Sequence, residues 1–298
     1  MRMLTHLALT VLLSPALLQA QAPAAAPGAA FSQQFKAGAP EVDRLIAAFE
    51  TREALPKAES LLPTGKPIYD KSSANSVHVS CWTYLEMGQA YALAFRAAEG
   101  SGQWEKALVH INKAVEILKE SREAGKAPLT EQANYWKGIG AEAKTRMDQN
   151  ADAIKELKAK VKLEDYETES LERVKAWETQ LTEGEKWSKF FQYDMDRTAS
   201  DLDYYEKVAA NIEKRIKSQQ EEIEAYKPHP GSKDHWVEAV VATRSYMDSI
   251  PEKADKINLL YRLSVLDPEN KKVEQNLMVL LGKAAPEKAT APKKSKKG

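Results

Sequence analysis

The sequence predicts an all-α protein. Three observations carry that expectation: where the prolines fall, which residues fill the space between them, and how the apolar residues repeat. Seven of the 14 prolines precede residue 70 and six follow residue 227, leaving Pro128 alone in the long interval between. Proline removes a helix hydrogen bond and clashes with the preceding turn, so a proline-poor interval is free to be helical. That interval is rich in Ala, Glu, Lys, Leu and Gln, the strong helix formers. Its apolar residues recur in steps of three and four, and alternating β-branched runs bounded by turn residues are missing.

Composition excludes several function classes. The chain has 298 residues with 43 Lys+Arg against 43 Asp+Glu, a formal charge of zero. A neutral chain lacks the basic excess of a generic nucleic-acid binder, so no nucleic-acid partner is expected. Cys81 is the single cysteine, which excludes a disulfide framework and any multi-cysteine zinc or iron–sulfur site.

Met1-Arg2-Met3 precedes an apolar run from Leu4 to Leu18, and Ala20-Gln21-Ala22 follows. A positive start, a short apolar stretch and a small-residue exit describe a secretory signal peptide, expected here over residues 1–20. The run is shorter than the roughly 20 apolar residues of a spanning helix, and no lipobox cysteine follows it. The expected location is therefore periplasmic or secreted, with no membrane span once the signal is removed. Residues 21–39 are small and punctuated by Pro and Gly, which reads as a flexible leader. A first helix is expected from Pro40, with Val42, Leu45, Ile46 and Phe49 at helical spacing. A second, short one ends before Pro63. Pro63-Thr64-Gly65-Lys66-Pro67 lacks the upstream glycine of a phosphate loop and follows no strand. A Ser/Asn-rich connection, Lys71 to Ser76, leads to the next helix.

From Met87 the chain reads Met-Gly88-Gln-Ala-Tyr91. It continues as Gly102-Gln-Trp104-Glu-Lys-Ala107-Leu, then Ile111, Ala114 and Val115. Small residues at 88, 107 and 114 let two antiparallel helices approach, while Tyr91, Trp104 and Ile111 fill the space between them. This pattern resembles a tetratricopeptide repeat, with eleven positions from Tyr91 to Gly102 where the family has four. Seven extra residues lengthen the hairpin by about two turns. A weaker copy has Pro128-Leu-Thr130 as a helix entry with Thr130 as N-cap. Trp136, Ile139, Gly140 and Ala143 then lie on its first helix, and Ala153, Ile154 and Leu157 on its second. Tyr261 to Asn270, with its Asp267-Pro268 exit, resembles a closing helix, and Leu277 falls on the helix after it. In that family ligand peptides lie along the first helix of each hairpin. The resemblance therefore implies a peptide-binding groove at Trp82, Leu85, Gln89, Asn134, Lys137 and Lys144. The competing expectation is that the chain's own long helix covers the same face.

Residues 161–227 differ in character. Leu163 to Leu181 and Gly184 to Tyr226 read as two long charged helices, with Thr182 and Glu185 as a capping box between them. Phe191, Met195, Thr198, Leu202, Tyr205, Ala209, Ile212, Ile216, Gln219, Ile223 and Tyr226 alternate in steps of four and three, a coiled-coil seam. Acidic residues four positions before basic ones (Glu156–Lys160, Glu169–Arg173, Glu185–Lys189, Asp203–Lys207 and Glu213–Lys217) predict solvated pairs worth about 0.2–0.5 kcal/mol each. The helix is expected to stop at Lys227-Pro-His-Pro-Gly231. Residues 232–282 then form C-terminal hairpins that begin with Trp236, Val237, Val240 and Val241. Residues 283–298, with six lysines and one glutamate, read as a basic solvated tail able to touch anionic surfaces.

Chemistry-bearing groups are sparse. His78 and Cys81 lie three apart at a helix entry without a second ligand pair, His229 and His235 flank a turn, and His110 is expected on an exposed face. No nucleophile elbow, nucleotide loop, HExxH or EF-hand loop occurs. No catalytic residue, metal or cofactor is expected. The expected fold is TPR-like stacked helical hairpins over residues 40–160 with a long coiled-coil-like hairpin inserted. The expected function is a non-enzymatic adaptor or scaffold joining other proteins or peptides of the cell envelope, with homo-oligomerisation through the long helices. The alternative is a structural or chaperone-like coiled-coil protein acting through its projecting hairpin.

Overall fold

Helix formers fill the proline-poor interval, and there the chain builds two helices of 46 and 61 residues. The computed structural model describes residues 29–65, 68–225, 250 and 252–283. Eight helices run through them: α1 (Ala29–Ala47), α2 (Thr51–Ser60), α3 (Ala74–Gly100), α4 (Trp104–Gln149), α5 (Ala151–Ala159), α6 (Asp165–Ala225), α7 (Lys253–Leu266) and α8 (Lys271–Leu280). The described residues contain no strand, so the fold is all-α. None of their helices is long and apolar enough to cross a membrane. The signal peptide, the breaker at 227–231, the helix through Trp236 to Val241, His229, His235 and the tail beyond Lys283 lie outside the described residues.

The centre is a bundle of α3, α4 and α6. The α3–α4 hairpin turns at Ser101-Gly102-Gln103, where Gly102 has φ +79°. A Cβ on Gly102 would lie 2.5 Å from the Tyr261 backbone, so only glycine permits this approach. Ala107 and Ala114 are fully buried, and a Cβ on Gly88 would press on Leu118 at 3.1 Å. The small residues therefore sit where the helices touch. Gly140 faces Gly184, Lys119 pairs with Glu206, and Arg215 reaches Trp104, so α4 and α6 run antiparallel. Tyr69, just before α3, lies against Gly125 and Leu129 of α4. Beyond that level α4 continues to Gln149 beside α6 alone, an arm on the order of 30 Å long at 1.5 Å per residue. The short α5 folds back on α6 at its end.

Apolar side chains of α1 and α2 (Phe35, Val42, Leu45, Ala54, Leu55 and Ala58) join the same core from the α3 side. The Lys36–Glu86 and Arg96–Asp43 pairs border that contact at 2.8 and 2.7 Å. At the opposite end from the arm, α7 and α8 pack Ile257, Leu260, Leu263, Val273 and Leu277 with Ile223 of α6. Buried Arg262 ties them to the rest: it donates to Gln219 Oε1, to the Gly102 carbonyl and to both oxygens of Glu105 at 2.7–2.9 Å. Its guanidinium lies over the Trp104 ring, as does that of Arg215.

Several sequence expectations need correction. The first helix starts at Ala29 and runs through Pro40, because Phe31 and Phe35 stack on each other and pack into the core. Thr130 is not an N-cap: α4 continues through buried Pro128, and the Thr130 hydroxyl donates to the Lys126 carbonyl at 2.7 Å. Burial of Leu118 and Ser121 before the proline, and of Leu129, Gly140 and Ala143 after it, holds the helix across the missing bond. Thr182 and Glu185 do not separate two helices either. The Thr182 hydroxyl bonds the Glu178 carbonyl, α6 is continuous, and Gly184 marks a helix crossing rather than an end. His110 is buried, within 3.1 Å of Glu59. Of the i,i+4 pairs, Glu169–Arg173, Glu185–Lys189 and Asp203–Lys207 form. Lys160 instead meets Glu167, and Lys217 meets Glu221. The α6 seam is buried at Phe191, Thr198, Leu202, Tyr205, Ala209, Ile212, Ile216, Gln219 and Ile223. Its main partner is α4 of the same chain.

Candidate functional site

The entry of α3 is set by Ser73, whose side chain accepts from the Ser76 amide, the N-capping arrangement that Ser favours. From there His78, Cys81 and Trp82 fall at helical spacing on the side of α3 that faces α6. Opposite them, Asp194 of α6 is fully buried. Its carboxylate accepts from Trp82 Nε1 at 2.9 Å and contacts His78 Nδ1 at 2.7 Å. A carboxylate withdrawn from water costs several kcal/mol unless hydrogen-bonded, and these two rings satisfy it. The arrangement fixes the imidazole plane and leaves Nε2 for another partner. His78 keeps a quarter of its side chain exposed.

Beneath this node lies a polar layer. The Cys81 sulfur sits 3.5 Å from Thr198 Oγ1 and 3.8 Å from the Asp194 carbonyl, and Thr198 Oγ1 donates to that carbonyl at 2.8 Å. Burial pushes the Cys81 thiol up to about 11, with the Asp194 charge acting in the same direction and Thr198 against it. Burial likewise raises Tyr69 well above the usual phenol range, with the Cys81 and Asp194 charges adding to it. Tyr205 is pushed up to about 12 by burial, with Asp201 adding to it. A thiol held neutral and enclosed is a poor nucleophile. Native Cys81 is expected to resist alkylation at pH 8 and to react only on unfolding, which mass spectrometry of iodoacetamide-treated protein checks.

The same shifts set an alkaline limit. Folding favours the protonated thiol and phenols, so their contribution is complete below the unfolded values, near 9 for the thiol and 10 for tyrosine. It is lost as pH rises through the folded values. At about 1.4 kcal/mol per unit, Cys81 and Tyr205 each withdraw at most about 2–3 kcal/mol between pH 9 and 12. Thermal melts should show Tm falling across that window, with the fall between pH 9 and 11 reduced in Cys81→Ala.

Around the node the aromatic rings form a continuous chain across three helices. Tyr135 meets Trp136 at 5.7 Å, Trp136 stacks on Trp187 at 6.1 Å, and Trp187 touches Phe190 at 6.0 Å. Phe190 then meets His78 at 5.9 Å, His78 meets Trp82 at 6.1 Å, and Trp82 stacks on Tyr193 at 6.4 Å. Offset and edge-on contacts at 4.5–7 Å are the favourable ring geometries. The chain is partly open: Tyr135 is 59% exposed, Phe190 42% and Tyr193 50%, with Val79 beside them at 41%, while Trp82, Trp136 and Trp187 are half-buried.

The residues expected to line a groove are distributed unevenly along this face. Trp82 belongs to the ring chain and Gln89 lies half-buried two turns further along α3, while Leu85 is buried in the core and presents no surface. Asn134 and Lys137 are exposed on α4, flanking Tyr135 and Trp136 at the other end of the chain of rings. Lys144 lies about two turns further along the arm, paired with Asp148 at 3.4 Å. Sequence reasoning missed Asp194, Trp187, Phe190 and Tyr193. Four aromatics within Trp187–Tyr193 were the available signal. Asp194 stands one position before the seam residue assigned to Met195, and Met195 is only half-buried. Among the described residues no group of three or more His, Cys, Asp or Glu could hold a metal ion.

The fold and this face together define the class: an all-α protein built on a helical hairpin, extended by a two-helix arm and carrying an open aromatic strip anchored on a buried carboxylate. Comparison with protein-family models, curated proteins and solved structures finds no match for the chain.

Proposed function

We propose that this protein is an exported, non-enzymatic adaptor of the cell envelope, TPR-like in its stacked helical hairpins, that captures a partner protein on the aromatic face. The observation that carries this reading is the open ring chain from Tyr135 to Tyr193. Tyrosine and tryptophan dominate the energetics of protein interfaces because they bury much surface while keeping a polar handle. Asp194, by fixing His78 and Trp82, keeps those anchors in place before binding and lowers the ordering cost of association. Asn134 and Lys137 serve as polar rim at one end. A photo-crosslinking residue in place of Tyr193, and separately of Tyr135, tests the reading in the cells that produce the protein. Both positions should yield an adduct with the same polypeptide, and Phe190→Ala should weaken it about tenfold or more. Absence of any adduct at either position would refute it.

A second reading, a structural or chaperone-like protein acting through its arm, is favoured by the groove of about 250 Å³ at the arm's end. Ile154 and Leu157 of α5 face Val174 and Trp177 of α6 there. In that case a crosslinker at Trp177, and not at Tyr193, captures the partner.

A further inference from the structure

On the α4–α6 seam, beside the buried polar layer and lined by its Thr198, lies a second concavity of about 490 Å³. That volume falls within the roughly 300–1,000 Å³ of small-molecule sites. Its floor is apolar, built from Leu129 of α4 with Met195 and Ala199 of α6. At its inner side stands Ser121, only 2% exposed. The Ser121 hydroxyl faces the weak Cys81 thiol and has no hydrogen-bond partner at bonding distance.

The rim carries both signs of charge. Arg122 and Lys126, one turn apart on α4, supply two cations. Glu123 of the same helix and Asp196 of α6 supply two carboxylates, and Asp196 already accepts from Gln192. Most cations elsewhere on these helices are matched by acids, as at Lys119–Glu206 and Arg146–Glu142. Arg122 and Lys126 have no ion-pair partner among the described residues. A purely anionic ligand would meet the two carboxylates, and a purely cationic one the two cations.

We propose that this groove binds a short zwitterionic peptide with apolar side chains. Its carboxylate is taken by Arg122 and Lys126, its ammonium by Glu123 and Asp196, and its side chains by Leu129 and Met195. The site is separate from the aromatic face and stands or falls without the adaptor reading.

Calorimetric titration of the purified full chain with leucyl-leucine tests it, with N-acetyl-leucyl-leucine and leucyl-leucine amide as probes lacking one charge each. Saturable binding is expected below about 1 mM. Each blocked peptide should bind about tenfold more weakly, the loss expected for a charge-assisted hydrogen bond. Arg122→Gln with Lys126→Gln, both exposed and expected to leave the melting curve unchanged, should abolish the preference for a free carboxylate. No saturable heat up to about 1 mM, equal binding of either blocked peptide, or unchanged binding by the double variant would each overturn the assignment.

Discussion

Gly184→Ala is expected to destabilise the protein by about 2 kcal/mol or more, whereas Gly140→Ala, directly opposite, is expected to be neutral or stabilising. The two glycines face each other where α4 crosses α6, yet their surroundings differ. A Cβ on Gly184 would lie 2.7 Å from the Trp136 carbonyl oxygen and 2.8 Å from the Gly140 backbone. Those are backbone atoms and cannot swing aside. The helices would have to part by on the order of 1 Å to restore the 3.5–4.0 Å of ordinary contact, loosening side chains along the seam. Overpacking of a tight contact typically costs about 1–3 kcal/mol, and here the neighbouring Trp136–Trp187 stack is disturbed as well. A Cβ on Gly140 meets nothing closer than 3.6 Å, so alanine there gains up to about 1 kcal/mol of helix propensity. Thermal melts of the two variants should move in opposite directions, Gly184→Ala falling by roughly 4–8 °C. Equal shifts would mean that the crossing is looser than the structure has it.

Removing Arg262 should release the C-terminal hairpin. The side chain is 2% exposed and donates to four acceptors on three separate elements. Arg262→Met keeps much of the volume but leaves Gln219 and the Gly102 carbonyl without their donor, at about 1–3 kcal/mol for each buried group left unpaired. Glu105 loses its bidentate partner too, although it is more than half exposed and water replaces much of that bond. A net loss of about 2–3 kcal/mol is expected. It should appear locally, as hydrogen exchange about 30- to 150-fold faster at the α7 amides of Ile257 to Leu263, with the α4–α6 arm little changed. Glu105→Gln should give a smaller acceleration, since it retains one acceptor for the guanidinium. Unaltered exchange in α7 would show that the apolar contacts of Ile257, Leu260 and Ile223, rather than Arg262, hold the hairpin.

Much of the architecture was legible because helix periodicity is a local property. The seam positions from Phe191 to Ile223 are buried nearly as their four-three spacing requires, and the hairpin turn falls at the expected Gly102. The errors share one cause. Pro40, Pro128 and the Thr182–Glu185 pair are each local stop or start signals, and each lies inside a helix that packing carries through it. Propensities of about 1–3 kcal/mol per residue lose to burial of neighbouring core side chains on both sides. His110 was misplaced for a related reason: its helix faces α2 as well as α3, so a position that is polar in pattern is enclosed beside Glu59.

The candidate site was less legible. Trp82 was identifiable from the repeat pattern, but the carboxylate that holds it lies 112 residues away. No spacing rule connects them, because the register of α6 against α3 is set by the whole length of the α4–α6 crossing.

Taken alone, the amino-acid order determined the helical class, the position of the α3–α4 turn and the stripe by which the longest helix buries itself. These follow from side-chain periodicity and backbone preference within a few turns. Only the tertiary structure decided that the stripe of α6 is spent chiefly on α4, that Asp194 rather than Met195 is the enclosed residue at its level, and that the rings from Tyr135 to Tyr193 form one exposed strip. Each of these depends on how helices far apart in sequence are placed against one another, and that placement is settled by close packing at points such as Gly184, where a single carbon atom decides the distance.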